Sequence, residues 1–250
     1  MLLVIVVASF WVFERDLPAS LVDTRYSNPA SQFLTLPNGS RIHYRDQGVA
    51  EAPAIVLLHG SNASLHTWEP WVERLGDRYR IVTIDLPGHG LTGAVPDQQY
   101  TTAAFMATVT SVTQHLRLPP FVLGGNSMGG GVTWRYAAAY PQQVRAMILV
   151  DASGPRDWSR QAARRSGEER PPLAFRLLRY EWFRTIGRYL DLGYLTGEGL
   201  RASYADKRLV DEALIDRYYN LNMRAGTRAA TLLRATQPRD NDQQGEQALR

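Results

Sequence analysis

Five consecutive residues, Gly125-Asn126-Ser127-Met128-Gly129, are the most informative for chemistry because they match the pattern G-x-S-x-G. They lie between an apolar run and a segment with helical character, so we expect the serine on a sharp strand-to-helix turn. There its hydroxyl projects clear of the sheet, and the following helix offers N–H groups to a developing negative charge. The pattern therefore predicts a nucleophile at Ser127. A phosphate-binding glycine loop is the alternative, but the P-loop lysine and the G-x-G-x-x-G spacing are missing.

A second motif, His59-Gly60-Ser61, directly follows the apolar run Ala54–Leu58. A loop that turns sharply at the glycine can direct the Ser61 N–H into the cleft beside the nucleophile. Together with the Met128 N–H it would form a two-donor oxyanion hole, in which removing one donor typically costs about 10²–10³ in rate. We expect His59 to order this loop rather than to act as a base.

A third motif, DLPGHG at Asp85–Gly90, ends another apolar run. Its glycines suit a tight exit loop that the Asp85 carboxylate can cap. A metal site with Asp85, His89 and His59 as ligands is the alternative, although nothing in the spacing supports it.

Apolar runs alternate with amphipathic segments through residues 32–155, which predicts strands alternating with helices. Such alternation implies a mostly parallel sheet with helices on both faces, an α/β fold. Asn38-Gly39 predicts a hairpin between the first two strands, and we expect Val144–Val150 to be buried. The predicted strands are Phe33–Leu36, Ile42–Arg45, Ala54–Leu58, Arg80–Asp85, Phe121–Leu123 and Val144–Val150. The predicted helices are Thr101–Leu118 and Gly129–Tyr140.

In their order and spacing, the three motifs resemble the α/β-hydrolase superfamily. The run Gly124–Gly130 is especially similar to the branch that holds carboxylesterases, lipases and C–C bond hydrolases of aromatic ring-cleavage products. The resemblance covers residues 32–155 well and implies that Ser127 is the nucleophile, with the N–H groups of Ser61 and Met128 as the oxyanion hole. It also implies a serine hydrolase that forms an acyl-enzyme with a small ester-like substrate and needs no metal or organic cofactor.

Ser127 and its neighbour Asn126 bear on which reaction of the superfamily is expected. Haloalkane dehalogenases and epoxide hydrolases of this superfamily carry Asp where this chain has Ser127, so both are disfavoured. Asn126 is expected to contact substrate. It points to a C–C bond hydrolase of diketones as the alternative to an esterase.

The sequence departs from the family in its histidines. The family places its catalytic histidine late in the chain, after an acid, whereas all five histidines here precede Ser127. We favour a chain that stops short of the true C-terminus. A complete but catalytically silent, hydrolase-like binding protein is the alternative. We expect the 250-residue chain to be nearly inactive in either case, because losing triad members costs about 10⁶ in turnover.

Beyond Gly154-Pro155 the strand signals end, and residues 156–236 are interpreted as a helical cap. Residues 237–250 would begin the return to the core. The net charge of +4 is concentrated in this part as arginines that alternate with acidic and apolar residues, which favours solvated helix faces. Nothing suggests nucleic-acid binding, and the lack of cysteine excludes disulfides and thiolate chemistry. The predicted cap helices are Leu173–Arg188, Ala202–Lys207, Asp211–Arg224 and Arg228–Thr236.

Residues 1–13 (MLLVIVVASFWVF) are apolar apart from Ser9. Thirteen helical residues span about 20 Å, less than the roughly 30 Å of a hydrocarbon core, and no basic residue precedes them as in a signal peptide. A buried core element is the alternative, but the run has neither alternation nor helical periodicity. Since residues 14–31 look like a polar tether, we expect a membrane anchor at the N-terminus. The alternative is a cytoplasmic protein.

Deleting residues 2–13 is expected to shift the protein from the membrane pellet to the supernatant, because the apolar run would no longer be available to lipid. Fractionation of cells followed by immunoblotting measures the shift. Removal of the 13 residues 238–250, which are mostly polar, is the matched control and should leave the distribution unchanged. A full-length chain found in the supernatant would contradict the anchor.

Overall fold

The computed structural model describes residues 15–155, 180–182, 185 and 193–237. Its strands form one six-stranded sheet in the order β1-β2-β4-β3-β5-β6. β1 and β2 are antiparallel to each other, as are β2 and β4, whereas β4, β3, β5 and β6 run parallel. This arrangement confirms the predicted α/β fold. The strands are β1 (Ser31–Thr35), β2 (Arg41–Gly48), β3 (Ala54–Leu58), β4 (Arg80–Ile84), β5 (Phe121–Asn126) and β6 (Val144–Val150).

Both faces of the sheet are covered, as alternate residues of β3 show. Val56 and Leu58 pack in a cluster with Phe105 and Val109, whereas Leu57 packs on the opposite face with side chains from another pair of helices. Burial on both faces explains why this strand is continuously apolar. The covering elements are a 3₁₀ helix (Leu65–Trp68), α2 (Glu69–Leu75), α3 (Thr102–His115) and α4 (Met128–Ala139).

The strand β6 differs from the prediction, which had it buried. It has the expected bounds but lies at the edge of the sheet and pairs only with β5 within the described residues. Met147 is 40% and Leu149 is 45% exposed. The apolar composition of β6 predicts a strand, but it does not show whether another strand or a helix covers its side chains.

The predicted tether at residues 14–31 is wrong for most of its length. It contains the helix α1 (Ala19–Tyr26), whose Val22 is buried. Leu17 N–H donates to the carbonyl of Met223 (2.7 Å), and Leu17 accepts from Ala225 N–H (2.9 Å). These residues therefore belong to the folded body.

The proposed anchor, residues 1–13, lies outside the described residues. Among the residues that are described, no helix is both long and apolar enough to cross a membrane.

Two predicted helices are confirmed: Asp211–Arg224 corresponds to the helix Glu212–Met223, and Arg228–Thr236 to the helix Thr227–Arg234. The predicted helix Ala202–Lys207 is wrong. The preceding helix ends at Ser203, and the Asp206 side chain instead caps a short 3₁₀ turn by accepting from Arg208 N–H. Most of residues 156–192, including all but four residues of the predicted helix Leu173–Arg188, and all of residues 238–250 lie outside the described part. The elements here are α5 (Gly193–Ser203), a 3₁₀ turn (Lys207–Leu209), α6 (Glu212–Met223) and α7 (Thr227–Arg234).

Two cap arginines are buried in ion pairs, contrary to the expectation of solvated faces. Arg224 is 9% exposed, and its Nε lies 2.8 Å from Asp23 Oδ1. Arg228 is 7% exposed, with Nη2 2.7 Å from Asp16 Oδ1. Both acidic partners come from the segment predicted to be a tether. The ion pairs therefore join the start of the described chain to the connection between α6 and α7.

Candidate active site

Ser127 occupies the predicted strand-to-helix turn, between β5 and α4. Its backbone has φ 48° and ψ −111°, a conformation that costs a non-glycine residue about 1–3 kcal/mol and persists only when its surroundings hold it. Its N–H donates to the carbonyl of Val150 (3.0 Å), and its carbonyl accepts from the N–H groups of Gly131 (3.1 Å) and Ser153 (2.9 Å). The turn is thus fixed on both sides by neighbouring backbone.

Two glycines allow the first and second motifs to touch. A Cβ added at Gly129 would lie 2.6 Å from the carbonyl oxygen of His59. A Cβ at Gly60 would lie 2.7 Å from Asn126 Oδ1 and 3.4 Å from Ser127 Cβ. Neither position has room for a side chain, so the loop after β3 lies directly against the turn that carries Ser127.

Two backbone N–H groups are available beside this contact. Met128 is the first residue of α4, and Ser61 follows the glycine that touches Ser127. Neither N–H donates to an acceptor among the described residues. This arrangement can stabilise a negative charge near Ser127, because the start of a helix carries a partial positive charge.

Asn126, expected to contact substrate, holds two strands together. Its Nδ2 donates to the carbonyl of Val150 at 3.1 Å, which joins β5 to β6. The contact with substrate stays a prediction.

His59 has the structural role that the sequence indicated. Its Nδ1 donates to the carbonyl of Gly60 (2.7 Å), and its Nε2 accepts from Leu86 N–H (3.1 Å), which settles the neutral tautomer. Burial lowers the pKa of His59 below its usual value. The imidazole therefore orders the loop, and both its nitrogens are engaged away from Ser127.

Asp85 is fully buried and accepts three hydrogen bonds. Its Oδ1 accepts from Leu65 N–H (2.8 Å), and its Oδ2 accepts from Leu91 N–H (2.8 Å) and His43 Nδ1 (2.7 Å). Burial alone would raise the pKa of Asp85, but the His43 hydrogen bond and the nearby imidazoles outweigh it and hold the pKa well below its usual range. The carboxylate caps its own loop, as predicted, and also joins two further segments.

Ser31, His43 and Asp85 form a chain in the order of a Ser-His-Asp relay. His43 Nδ1 donates to the carboxylate, so the Nε2 of a neutral imidazole accepts from the Ser31 hydroxyl at 2.9 Å. The Ser31 Oγ also accepts from Asn28 N–H (3.1 Å) and Arg45 Nε (3.4 Å). Both lone pairs of that oxygen are used, which indicates a structural role rather than a nucleophile. Sequence reasoning missed His43.

All five histidines of the chain lie within the described residues, and none has a ring nitrogen hydrogen-bonded to Ser127 Oγ. Across the described ranges, no group of three or more His, Cys, Asp or Glu side chains is arranged to hold a metal ion. The metal alternative built on Asp85, His89 and His59 therefore gains no support. The histidines are His43, His59, His66, His89 and His115.

A cavity of about 360 Å³ begins at Ser61 and Asn62 and extends between α5, α6 and α7. Its walls include both hydroxyl or amide groups and apolar side chains. The polar walls come from Thr196, Ser203, Tyr218, Tyr219, Asn222 and Thr231, and the apolar ones from Leu200, Met223 and Leu232.

Arg234, the last residue of α7, is a site residue that sequence reasoning missed. Its Nη2 donates to Ser61 Oγ at 2.5 Å, and its Nη1 donates to Met128 Sδ at 3.1 Å. Because the sequence placed it on a solvated, arginine-rich helix, no local signal connected it to the motifs 100 or more residues earlier.

A family model for the alpha/beta hydrolase fold matches residues 53–228. The chain therefore belongs to the α/β-hydrolase family, as the motifs and the strand order indicated.

Three known proteins are similar to parts of this chain. A serine hydrolase-like protein of Danio rerio is 34% identical over 132 residues, which are 52% of this chain and 40% of that protein. Epoxide hydrolase 4 of Homo sapiens is 26% identical over 147 residues, 58% of this chain and 41% of that protein. The chain thus spans less than half the length of these relatives. The crystal structure of Cfl2 from Burkholderia cenocepacia shares the fold, with a TM-score of 0.64 at 24% identity over 88% of this chain and 73% of that one.

Replacing Asp85 by Asn is expected to lower the free energy of unfolding by at least about 3 kcal/mol at neutral pH, because several buried, charge-assisted hydrogen bonds are weakened or lost. The folded-state pKa of Asp85 is lowered, so this stabilisation is complete above the ordinary aspartate pKa of about 3.9 and is lost as the pH falls below it.

Urea unfolding from pH 7 to pH 3 measures both effects. The exposed Asp77→Asn is the matched control, with an expected change within about 0.5 kcal/mol. An equal loss in both variants, or a difference between wild type and Asp85→Asn that does not shrink in acid, would contradict the assigned role.

Proposed function

We propose that this protein is a serine hydrolase of small carboxylic ester-like substrates that forms an acyl-enzyme on Ser127. The observation that supports the proposal most directly is the Ser127 turn at φ 48°, which lies against a second loop and is flanked by the N–H groups of Met128 and Ser61. This is the arrangement that acyl transfer requires.

In the proposed reaction, Ser127 Oγ attacks the acyl carbonyl and loses its proton to a base. The N–H groups of Ser61 and Met128 bind the resulting oxyanion. The C–O bond to the leaving alcohol then breaks as the alcohol takes up a proton. Water attacks the acyl-enzyme in the same way and releases the carboxylic acid and free Ser127.

An ester substrate agrees better with Ser127 than an epoxide does, although one relative is named an epoxide hydrolase. A carboxylate nucleophile that opens an epoxide forms an ester, which water can then cleave at its carbonyl carbon. A serine hydroxyl that opened an epoxide would form an ether, which water does not cleave under these conditions. A serine in this position therefore favours acyl substrates.

The alternative, a C–C bond hydrolase of diketones, depended on Asn126. Its amide nitrogen donates to Val150, between two strands of the sheet, so this contact adds no support for that chemistry. The ester reaction remains the proposal.

The mechanism needs a general base, and none of the five histidines is hydrogen-bonded to Ser127 Oγ. We therefore propose that these 250 residues hydrolyse esters only slowly by themselves. Catalysis would then come from the oxyanion hole and substrate binding alone. Together these raise the rate roughly 10³–10⁴-fold over the reaction in water.

An alkyl fluorophosphonate is expected to label the chain at Ser127, because the turn and the two N–H donors favour attack on a tetrahedral phosphorus. Mass spectrometry after incubation over hours detects the adduct, which should be absent from Ser127→Ala. Ser31→Ala is the matched control, since the Ser31 hydroxyl is hydrogen-bonded to His43, and labelling should persist in it. Labelling that survives in Ser127→Ala, or no labelling at all, would favour a non-catalytic binding protein.

Added imidazole is expected to accelerate hydrolysis of 4-nitrophenyl acetate by the wild-type chain, because it supplies the missing general base, a group worth about 10²–10⁴ in rate. Release of 4-nitrophenol is followed while imidazole is titrated. Ser127→Ala at the same imidazole concentrations corrects for catalysis by imidazole alone. If the corrected rate does not rise with imidazole, a missing base is not what limits the reaction.

A further inference from the structure

Asn222 joins the cap to the loop that carries Ser61. It lies on α6 and lines the cavity that begins at Ser61 and Asn62. Its Nδ2 donates to the carbonyl of Asn62 at 2.9 Å and to the carbonyl of Tyr218, one turn earlier on α6, at 2.8 Å. Asn62 has a positive φ of 58°, so the hydrogen bond from Asn222 helps to hold this turn from the cap side.

These two hydrogen bonds decide which kind of group the Asn222 side chain can still bind. A primary amide has two N–H donors and one carbonyl acceptor. Both donors are used on backbone carbonyls, and Oδ1 accepts no hydrogen bond from the described residues. Exchanging the amide nitrogen and oxygen would place Oδ1 against two carbonyl oxygens, which is unfavourable. A ligand that contacts Asn222 in the cavity must therefore supply a hydrogen-bond donor.

Thr231, on α7, adds a second polar group to the cavity wall. Threonine hydroxyls within helices can donate to the carbonyl four residues earlier, as those of Thr108, Thr113 and Thr133 do. The Thr231 hydroxyl makes no such bond, nor any other within the described ranges. Since a hydroxyl can donate and accept at once, Thr231 can pair with a hydroxyl on a ligand in either direction.

The charges around the cavity favour a neutral donor over a cationic one. None of the described lining residues is acidic, so an ammonium group would find no carboxylate on these walls. Arg228 also lines the cavity and forms an ion pair with Asp16 at 2.7 Å, and a cation would be repelled by its guanidinium. The apolar side chains of Leu200 and Met223 can pack against a short carbon chain. The walls therefore suit an uncharged group that carries hydroxyls on such a chain.

We propose that the cavity binds a hydroxylated, uncharged part of the substrate, with Asn222 and Thr231 as specificity-determining residues that hydrogen-bond its hydroxyl groups. The protein would then prefer esters that carry a hydroxyl near the ester bond over the same esters without it. This inference rests on the proposed function for the placement of the scissile carbonyl at Ser61 and Met128, where the cavity begins. A cavity of about 360 Å³ is large enough for a short hydroxylated chain.

Kinetics on two matched pairs of esters test the preference. 1-Monobutyrin and propyl butyrate differ in the hydroxyls of the alcohol part, whereas ethyl 3-hydroxybutanoate and ethyl butanoate differ in one hydroxyl of the acyl part. The value of kcat/KM is measured for each ester at one fixed concentration of imidazole. The ratio of kcat/KM for the hydroxylated ester to that for its partner is then compared between wild type and each variant. The pair whose ratio changes shows which part of the substrate occupies the cavity.

Asn222→Leu removes the acceptor, and Thr231→Val removes a hydroxyl with little change in shape. Each variant is expected to lower the ratio in the same pair by about 3- to 10-fold, the factor that corresponds to a neutral hydrogen bond. Thr231→Val leaves the contact between Asn222 and Asn62 in place, so it tests the cavity without loosening the loop. A ratio that stays at the wild-type value in both variants and both pairs, even if every ester reacts more slowly, would overturn the proposal.

Asn220→Leu is the matched control on the same helix. Asn220 is not among the described cavity-lining residues, and its Nδ2 donates to Tyr26 Oη at 2.8 Å. Its loss should therefore leave the ratio unchanged. A ratio that falls as far in Asn220→Leu as in Asn222→Leu would assign the effect to a loosened α6 and overturn the role of Asn222.

Binding without turnover separates this inference from the proposed function. Titration calorimetry measures the binding of 1-monobutyrin and of ethyl 3-hydroxybutanoate to Ser127→Ala and to the double variant with Asn222→Leu. At least one of the two esters is expected to bind about 3- to 10-fold more weakly to the double variant. That result supports the hydroxyl-binding site even if no ester is hydrolysed. Equal affinities for both esters, or no binding of either to Ser127→Ala, would overturn it even if hydrolysis at Ser127 is demonstrated.

Discussion

The buried carboxylate of Asp85 is the interaction on which the candidate site depends most. It accepts backbone N–H groups from Leu65, in the segment after β3, and from Leu91, in the loop after β4, while His43 holds it from β2. Three segments far apart in the chain are thus fixed to one point at the edge of the sheet. A buried charge of this kind is stable only when its hydrogen bonds are complete. The position of each loop therefore constrains the others.

The Ser127 turn depends on this framework because it is strained. A serine at positive φ is retained only while the surrounding backbone prevents relaxation. Val150 and Ser153 hold it from one side, and the loop at Gly60 lies against it from the other. That loop is in turn ordered by His59, whose two nitrogens bond the Gly60 carbonyl and the Leu86 N–H. Strain at Ser127 and order in its neighbours are therefore two aspects of one arrangement.

Local patterns predicted those parts of the fold and site that local sequence controls. The strand β3 and the turn at Ser127 were correct because apolar continuity and closely spaced glycines act over a few residues. The tether at residues 14–31 was wrong because its helix is stabilised by distant partners, such as Arg224 for Asp23. Arg234 and His43 were missed for the same reason. Their roles arise from contacts with residues 40 or more positions away, which periodicity does not reveal.

The ion pairs between Asp16 and Arg228 and between Asp23 and Arg224 bear on how the protein is made. More than 200 residues separate the partners in each pair. The strands that carry the three motifs leave the ribosome long before the helices that wall the cavity, because synthesis proceeds from the N-terminus. The segment at residues 15–26 can therefore form these ion pairs only after residues 224–228 have been synthesised. The residues of the strained serine turn are therefore synthesised before the helices that wall the cavity beside it.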